Sequence, residues 1–504
     1  MGFPILSLVT FMPLLGALAV LVLPAANGRT IKRVAVIAAA VSLILGAIIW
    51  GGYDRAAGGI QFEELMPWIP SIGVHYHMGV DGVSVPMILL TTLLTPLCLF
   101  YSAFTIKERV KEFFLLFLLL ETGLLGVFVS LDLVLFYVFW ELGLVPMYFL
   151  IGIWGGPRRE YAAIKFFLYT LTGSVAMLLG FLYIYFTTGT FSIPGAAAVF
   201  ENLRPFGANF TAVSLTFWGI FLAFAIKLPL WPFHTWLPDA HTEAPTAGSV
   251  ILAGVLLKLG GFGFVRILLP TMPSAFRYWA PLIAGLAVVS IVYGALVCMA
   301  QWDLKRLIAY SSVSHMGYVM LGIAAAAHGL GTAGQETSRA IALNGAVLQM
   351  FSHGIITGAL FFLVGVIYER AHTRDLREFG GLGVVVPYFY GFMLVAGFAS
   401  LGLPGLAGFW AELMVFRGAL AIMPVYAVIG VLGIVFTAAY ILWKIMQYVF
   451  LGSPKERWLK LPDMYSWEII SLAPLVAVIF LVGLYPTPII DLINTATTVL
   501  ARLL

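Results

Sequence analysis

The sequence predicts an all-α polytopic membrane protein with about 14 transmembrane helices, formed as a single domain over residues 1–504. Hydrophobic residues make up 62% of the chain and charged residues only 10%, whereas about a quarter of the residues in a soluble protein are charged. Apolar runs of about 20 residues, long enough to cross a bilayer, recur from the first segment to the last. We therefore expect the lipid bilayer to be the surroundings of this protein.

The expected spans are separated by charged breaks or by breaks rich in proline and glycine. They are 3–23, 33–51, 82–104, 112–130, 132–153, 162–187, 211–230, 245–269, 279–300, 306–327, 340–368, 384–419, 422–450 and 467–491. The first span lacks the basic start of a cleaved signal, so we expect it to be retained. Segment 384–419 is too long for one straight span, and we expect it to be interrupted near Pro404 and Gly405. Segments 52–81 and 188–210 are interpreted as outward loops.

Basic residues are distributed unequally between the two sets of loops. Loops after odd-numbered spans contain most of them: Arg29, Lys32, Arg33, Lys107, Arg109, Lys111, Arg158, Arg159, Lys165, Lys305, Arg306, Arg370, Arg374, Arg377, Lys455, Arg457 and Lys460. The opposite side has only Arg55, Arg204, Arg266, Arg277 and Arg339. The positive-inside rule therefore predicts that the odd loops face the cytoplasm and that both termini lie on the non-cytoplasmic side.

Composition also excludes several classes of function. The formal net charge is only +4, and the aromatic residues lie in apolar runs, so nothing indicates a nucleic-acid partner. Cys98 and Cys298 stand alone in hydrophobic segments, without the spacing of metal ligands. Iron–sulfur, zinc and disulfide chemistry are therefore not predicted for this chain.

The most informative stretch is 225–264, in which two apolar segments each contain a lysine. A charged residue at the centre of a bilayer costs at least a few kcal/mol, and proline breaks a spanning helix. Together these features indicate a functional site within the membrane. The residues concerned are Lys227, Pro229, Pro232, His234, Pro238, Asp239, His241, Glu243 and Lys258.

Two spans are predicted to be broken, the seventh beside Lys227 and Pro229 and the twelfth beside Pro404 and Glu412. They lie five spans apart, and repeats of five helices are inverted relative to each other in the membrane. This arrangement is common in transporters whose ion sites use discontinuous helices. We expect helices 4–8, about 112–269, to form the first repeat and helices 9–13, about 279–450, the second, inverted one.

Three ionisable residues besides Lys227 are expected at membrane depth. Glu141 is about ten residues into its span, which is about 15 Å along a helix, and Lys227 is its natural partner. Either a proton-carrying pair or a structural ion pair is compatible with this placement. The depth of Lys258 in the membrane favours a role in proton relay over a packing role. The depth of Glu412 favours a role in proton uptake or release.

Four histidines are weaker signals, because a lone histidine on an apolar helix is more often a packing residue. With the buried lysines and acids, however, His315 and His353 can extend a wire of titratable groups. His234 and His241 flank the broken end of the seventh span and are auxiliary candidates. Asp132 and Asp303 are interpreted as helix N-caps.

At this point the residues resemble a known family, the antiporter-like membrane subunits of respiratory complex I, the NADH–quinone oxidoreductase. The resemblance extends over nearly the whole chain. Its motifs are H-M-G-V-D-G-V-S at 77–84, F-W-E-L at 139–142, K-L-P-L-W-P-F-H-T-W-L-P-D-A-H-T-E-A-P-T-A-G-S at 227–249, L-A-G-V-L-L-K at 252–258, D-L-K-R-L-I-A-Y-S-S-V-S-H-M-G at 303–317 and L-P-G-L-A-G-F-W-A-E-L at 403–413.

The resemblance implies fourteen helices in two inverted repeats and a proton path along the matching positions. These are the pair Glu141 and Lys227, the central Lys258, the linking His315 and His353, and Glu412 in the second half. It also implies that this chain holds no redox cofactor. NADH, FMN, iron–sulfur clusters and quinone are expected in partner subunits, and neighbouring membrane-arm subunits are the expected partners, in the cell membrane.

Two other readings of the buried charges stay open from the sequence. A subunit of a multisubunit sodium/proton antiporter is similar in the same spans, although D-A-H-T-E-A-P-T-A-G-S weighs against it. A purely structural membrane subunit is disfavoured, because burying several charges is costly and small apolar residues can form an interface without that cost.

Overall fold

The computed structural model describes residues 3–503, which form an almost wholly helical bundle. Thirteen helices among these residues are long and apolar enough to cross a membrane. The helices of the first half are α1 (Ile5–Val22), α2 (Gly28–Gly52), α3 (Ser84–Thr105), α4 (Val110–Val129), α5 (Leu133–Leu142), α6 (Leu144–Trp154), α7 (Arg159–Thr188), α8 (Ile193–Leu203), α9 (Phe210–Lys227), α10 (Trp236–Glu243), α11 (Thr246–Ile251), α12 (Leu257–Gly263) and α13 (Leu269–Thr271).

The second half continues the bundle with longer helices. They are α14 (Pro273–Ala300), α15 (Leu304–His328), α16 (Glu336–Ala371), α17 (Leu382–Val385), α18 (Pro387–Ser400), α19 (Ala407–Ile422), α20 (Pro424–Ala439), α21 (Ser466–Leu484) and α22 (Thr487–Leu503). Helix α16 lies at the centre, packed against α15, α19, α21 and α22. Its most apolar stretch of 18 residues is entirely buried.

The predicted interruption of the twelfth span is confirmed. Helix α18 ends at Ser400, and α19 begins only at Ala407. Between them Gly402 and Gly405 have φ of 80° and 91°, a left-handed backbone that side chains with a Cβ rarely adopt. The span is therefore present as two pieces, neither of which crosses a membrane alone.

The predicted break of the seventh span is also confirmed, between Lys227 at the end of α9 and Trp236 at the start of α10. Pro229 and Pro232 cannot donate backbone hydrogen bonds, so the helix cannot continue through them. The Trp236 indole Nε1 donates to the Ile226 carbonyl oxygen at 2.9 Å. This contact satisfies a carbonyl that the break leaves without its helical partner.

The eighth span, residues 246–271, is continuous but not uniformly α-helical. Two π-helical stretches, Leu252–Leu256 and Phe264–Leu268, flank α12. Such stretches are rare and often lie at functional sites, because they change which face the following residues present. Lys258 lies in the short α-helical piece between them.

Two outward segments contain secondary structure that the sequence analysis did not assign, and the end of the last span was placed wrongly. The outward segment 52–81 contains an antiparallel hairpin of β1 (Gln61–Ile69) and β2 (Val74–Val80), and segment 188–210 contains α8. The last span was expected to reach residue 491, but it ends at Leu484, and α22 forms after the break at Pro486. Asp491, Asn494 and Thr498 give α22 a polar side that a spanning helix would not have.

The alternation of spans gives the bundle two ends. The end with the hairpin, α8 and the first turn of α14 is termed the hairpin face, and the end with Lys111, Lys305 and Arg374 is termed the basic face. Lys111 Nζ donates to the Leu23 carbonyl oxygen at 2.8 Å, and Lys305 Nζ donates to that of Ala244. Basic side chains on this face thus satisfy carbonyls at helix C-termini.

The two helix N-caps expected from the sequence are confirmed. The Asp132 carboxylate accepts from the backbone N–H groups of Val134 and Leu135, and Asp303 accepts from that of Arg306, so both are N-caps. Cys98 and Cys298 are free and fully buried in their helices.

Candidate functional site

Lys258 is the centre of the candidate site. Its side chain is 0% exposed, and its Nζ atom lies 2.7 Å from His353 Nδ1 on α16. Nζ also donates to the Ala253 carbonyl oxygen, which belongs to the first π-helical stretch. When Lys258 is an ammonium it can only donate, and His353 Nδ1 is then the acceptor. The arrangement lets a proton pass directly between the two side chains.

His353 continues toward His315 on α15 and then toward Glu412 on α19. The two imidazole rings have centroids 5.7 Å apart. His315 Nδ1 lies 3.3 Å from Glu412 Oε1, and its Nε2 lies 3.1 Å from the Ser400 hydroxyl oxygen. A cavity of about 10 Å³ lies among these side chains. That volume is about the minimum needed for one water molecule.

Four of the sequence-predicted site residues therefore form one buried row. It runs from Lys258 through His353 and His315 to Glu412, across helices α12, α16, α15 and α19. Each of the four is at most 4% exposed. We term this set the central row.

Glu412 owes its position to the broken backbone beside it. A Cβ atom on Gly402 would lie 2.7 Å from Glu412 Oε2, and one on Gly408 would lie 2.2 Å from the Ala399 carbonyl oxygen. Only glycine lets the chain between α18 and α19 approach the carboxylate so closely. The break thus places a carboxylate against His315.

We expect the Gly402→Ala variant to be less stable by at least about 1–2 kcal/mol, because a residue with a Cβ is strained at this left-handed φ. The added methyl group also displaces Glu412 from His315. The thermal midpoint of the assembled protein measures the effect. Gly391→Ala is the matched control, since a Cβ there meets nothing within 4 Å. Equal midpoints for the two variants would contradict the assigned role of the break.

The ion pair predicted between Glu141 and Lys227 is not formed among the described residues. Lys227 is 1% exposed, and its Nζ lies 5.4 Å from the centroid of the Trp140 ring and 5.5 Å from that of Phe166. On α5 it is therefore the Trp140 ring, and not the Glu141 carboxylate, that packs against the ammonium of the lysine. Glu141 is instead partly exposed, and its Oε1 is buried without a hydrogen-bond partner.

His234 lies in the connection that follows Lys227, and His241 lies on α10. The His241 ring stacks on Phe361 at 4.6 Å, and neither of its nitrogens has a hydrogen-bond partner among the described residues. His234 is 3% exposed and contacts Tyr293 edge to face at 5.2 Å. Both histidines are buried, and neither contacts the central row directly.

The acids of α10 hold this region to the basic face. Asp239 accepts a hydrogen bond from Lys165 Nζ at 2.7 Å, and Glu243 accepts from the backbone N–H of Arg158 at 3.0 Å. On the same face the Arg377 side chain hydrogen-bonds Asp375 and lowers the pKa of that carboxyl below its ordinary value. The contacts of Asp239 and Glu243 thus hold α10, which follows the break of the seventh span, to the start of α7.

The sequence interpretation missed three buried polar groups. Glu121 on α4 is 1% exposed, and both carboxylate oxygens lack a hydrogen-bond partner among residues 3–503. It lies mid-span in L-L-L-E-T-G, so the rule that found Glu141 would have found it. Ser400 and Gln349, whose Nε2 lies 3.4 Å from His315 Nδ1, carry no such signal because uncharged polar residues are common in spans.

The described residues contain no group of three or more His, Cys, Asp or Glu side chains that could hold a metal ion. The arrangement instead suits the transfer of protons, since every member of the central row can gain or lose one.

Comparison with known proteins assigns the chain to a family. A family model described as NADH:quinone oxidoreductase/Mrp antiporter, TM, matches residues 130–437. The chain belongs to this family. Among members of this oxidoreductase/antiporter family, it is 43% identical over 510 residues to NADH-quinone oxidoreductase subunit M of Rhodobacter capsulatus, covering 99% of this chain and 96% of that one. It is 41% identical to the subunit of the same name in Rickettsia conorii, covering 97% of each chain.

Solved structures of the family agree with the fold. A chain of respiratory complex I from Thermus thermophilus is 30% identical, with a TM-score of 0.87 and coverage of 99% of both chains. A chain of the Mrp complex from Dietzia sp. DQ12-45-1b has a TM-score of 0.84 at 23% identity, covering 99% of this chain and 98% of that one. The second likeness concerns the fold alone.

Proposed function

We propose that this chain is a proton-translocating membrane subunit of a complex I-type NADH–quinone oxidoreductase. The observation that carries the proposal is the central row, in which four titratable side chains follow one another across the middle of the bundle. Identities of 41–43% over nearly full length to subunits of that enzyme support it. The chain acts as a non-redox part of the enzyme.

Protons pass along the central row by short steps. The Lys258 ammonium gives a proton to His353 Nδ1, and His353 releases one from Nε2 toward the small cavity beside His315. His315 passes a proton from Nδ1 to Glu412 Oε1. Adjacent buried cations repel each other, so a proton arriving at one end favours release at the other.

Glu141 and Lys227 supply this row from the first half of the chain. Lys227 is held by aromatic rings rather than by a carboxylate, so its charge is free to respond to the neighbouring half. His241 and His234 connect the region with the basic face, where Asp239 and Glu243 lie. The two broken spans and their spacing support two inverted repeats, about 112–269 and 279–450.

The proposed function also implies an orientation in the membrane and a set of partner subunits. The basic face is cytoplasmic and both termini lie outside, in the cell membrane. Neighbouring antiporter-like subunits contact this one, and other partner subunits hold NADH, FMN, iron–sulfur clusters and quinone. Electron transfer in those subunits drives proton movement here through charge and conformational coupling.

The deciding experiment uses the particle extracted from its native membrane in mild detergent. We expect inhibitor-sensitive quinone reduction with NADH, with redox subunits copurifying, and proton uptake into vesicles after reconstitution. Reduced ferredoxin is the second donor to be tried, because this chain contacts neither. If the particle lacks redox subunits and exchanges sodium for protons, the proposal is overturned, and the chain is a subunit of a multisubunit sodium/proton antiporter.

We expect the Glu141→Gln variant to assemble normally but to pump protons roughly tenfold more slowly. This loss is smaller than the about 10²–10⁴-fold typical of a missing acid–base group, because Lys227 and the central row stay intact. Glutamine keeps the shape of the side chain but has no group that ionises to take up and release a proton. Pumping per quinone reduced is measured in vesicles, and assembly on native gels. If assembly and pumping both persist, the result supports the alternative of a purely structural membrane subunit.

A further inference from the structure

A pocket of about 480 Å³ opens on the hairpin face, away from the central row. The first turn of α14, the end of α15 and the first turn of α16 surround it. Its lining includes Phe206, Arg277, Tyr278, His328 and Gln335. It therefore combines basic, polar and aromatic side chains in one concave surface.

The pocket collects positive charge on the face that otherwise has little. Arg277 is exposed at its mouth, His328 lines it, and Arg339 follows Gln335 by one turn of α16. Arg277 Nη1 lies 2.9 Å from the position that a Cβ on Gly331 would take. Arg277 therefore supplies the positive charge of the pocket, and His328 from a second helix adds a polar group.

Arg339 is the buried member of this group. It is 4% exposed, and its Nε and Nη1 have no hydrogen-bond partner among residues 3–503. Its nearest carboxylate is that of Glu336, 3.7 Å from Nη2 and half exposed. Its stem lies beside Gln335 at Gly329, next to His328, so it neighbours two residues of the pocket lining without being part of that lining. Buried guanidinium donors without partners indicate a site for an anion.

Two helix N-termini add positive electrostatic potential at the pocket. Helix α14 begins at Pro273 and α16 at Glu336, and Ser274 and Gln335 from these first turns line the pocket. Free backbone N–H groups and the helix dipole both favour an oxyanion at such a position.

Aromatic residues set the depth of the pocket in the membrane. The Tyr278 ring lies 5.3 Å from Phe206 and 4.9 Å from Trp279, and Trp279 lies 5.4 Å from Trp218. Tyr278 is 57% exposed. Tryptophan and tyrosine gather at the level of lipid headgroups, so the basic pocket opens at that level.

Below this belt, α14 offers an apolar track toward the centre of the bilayer. Leu282, Val289 and Leu296 follow at intervals of one heptad, which is two helical turns, and each is exposed. A molecule held at the pocket can therefore lay a hydrocarbon chain along the same helix. Inorganic phosphate has no hydrocarbon chain that could lie along these residues.

We propose that this pocket binds the headgroup phosphate of a phospholipid from the leaflet on the hairpin face, with an acyl chain along the exposed side of α14. Arg277 contacts the phosphate at the mouth, His328 donates a hydrogen bond to it, and Arg339 adds its charge from one turn further along α16. The site is independent of the proton path, since none of its residues belongs to the central row.

The test uses the intact complex in vesicles that contain phosphatidylglycerol with a photoreactive group near the headgroup. After illumination, mass spectrometry measures labelling of the segment 273–281. We expect Arg277→Gln to lower this labelling by about tenfold, the loss in affinity expected when charge-assisted hydrogen bonds are removed. Arg277 is exposed, so its replacement leaves folding intact. Arg339→Gln is the second variant and is expected to act in the same direction.

Arg55→Gln is the matched control, because Arg55 is exposed on the same face and lies outside the pocket. It should leave the labelling of segment 273–281 unchanged. Equal labelling in the Arg277 variant, the Arg55 variant and the unchanged protein would overturn the proposal. If excess inorganic phosphate abolishes labelling in the unchanged protein, the site binds free anions and the lipid assignment is overturned.

Discussion

Replacing Lys258 by methionine is expected to lower the rate of proton translocation by about a hundredfold or more. Methionine is close to lysine in length and fills the same apolar surroundings, but it cannot carry a proton. Loss of one positioned acid–base group typically costs about 10²–10⁴-fold in rate. Lys258 is the member of the central row that contacts His353 directly, at 2.7 Å, so its replacement removes the first step of the row. Proton uptake into vesicles, driven by quinone reduction, is the measurement.

The matched control for this variant is Lys444→Met. Lys444 is also buried, but its ammonium lies over the Trp302 ring near the basic face and outside the central row. Its removal loses a cation–π contact of about 0.5–2 kcal/mol and is expected to leave pumping intact. Equal pumping by both variants and the unchanged protein would remove Lys258 from the proton path.

Glu412→Gln is expected to have an effect of similar size at the other end of the row. Glutamine preserves the size of the side chain and can still hydrogen-bond to His315, so the break between α18 and α19 keeps its shape. What is lost is the group that accepts the proton from His315 Nδ1, across 3.3 Å. We expect assembly to be normal and proton translocation to fall by about a hundredfold.

Two companion variants separate proton transfer from structure. Glu412→Asp restores an ionisable group and is expected to recover part of the rate, whereas Glu369→Gln, at an exposed position on the basic face, is expected to change nothing. The dependence of rate on pH is measured for both. Failure of Glu412→Asp to recover any rate, together with reduced assembly of Glu412→Gln, would indicate a structural role for the carboxylate.

Much of the fold could be predicted because each of the features concerned is determined within one short segment of the sequence. Span lengths follow from bilayer thickness, and the break near Pro404 follows from a span too long for one helix. The N-caps Asp132 and Asp303 were predictable because capping is decided within three residues. These properties depend on local sequence, and the structure agrees with them.

Side-chain contacts between distant spans were not predictable in the same way. Sequence placed Glu141 and Lys227 at similar depth, but depth alone does not say which face of α5 meets α9, and Trp140 occupies that face. The π-helical stretches beside Lys258 also shift the faces that a regular helical period assigns. The hairpin was missed although β2, V-H-Y-H-M-G-V, alternates between apolar and polar residues, because β1, Q-F-E-E-L-M-P-W-I, shows no such alternation.

The burial of both cysteines makes this chain convenient for chemical labelling. Cys98 and Cys298 are the two cysteines of the sequence, and both lie fully inside the bundle, where thiols are inert toward water-soluble reagents. A single cysteine introduced at an exposed position, such as Tyr278 or Arg55, would react with a maleimide without prior removal of the native thiols. Fluorophores or spin labels attached there would report the movements of one face during turnover.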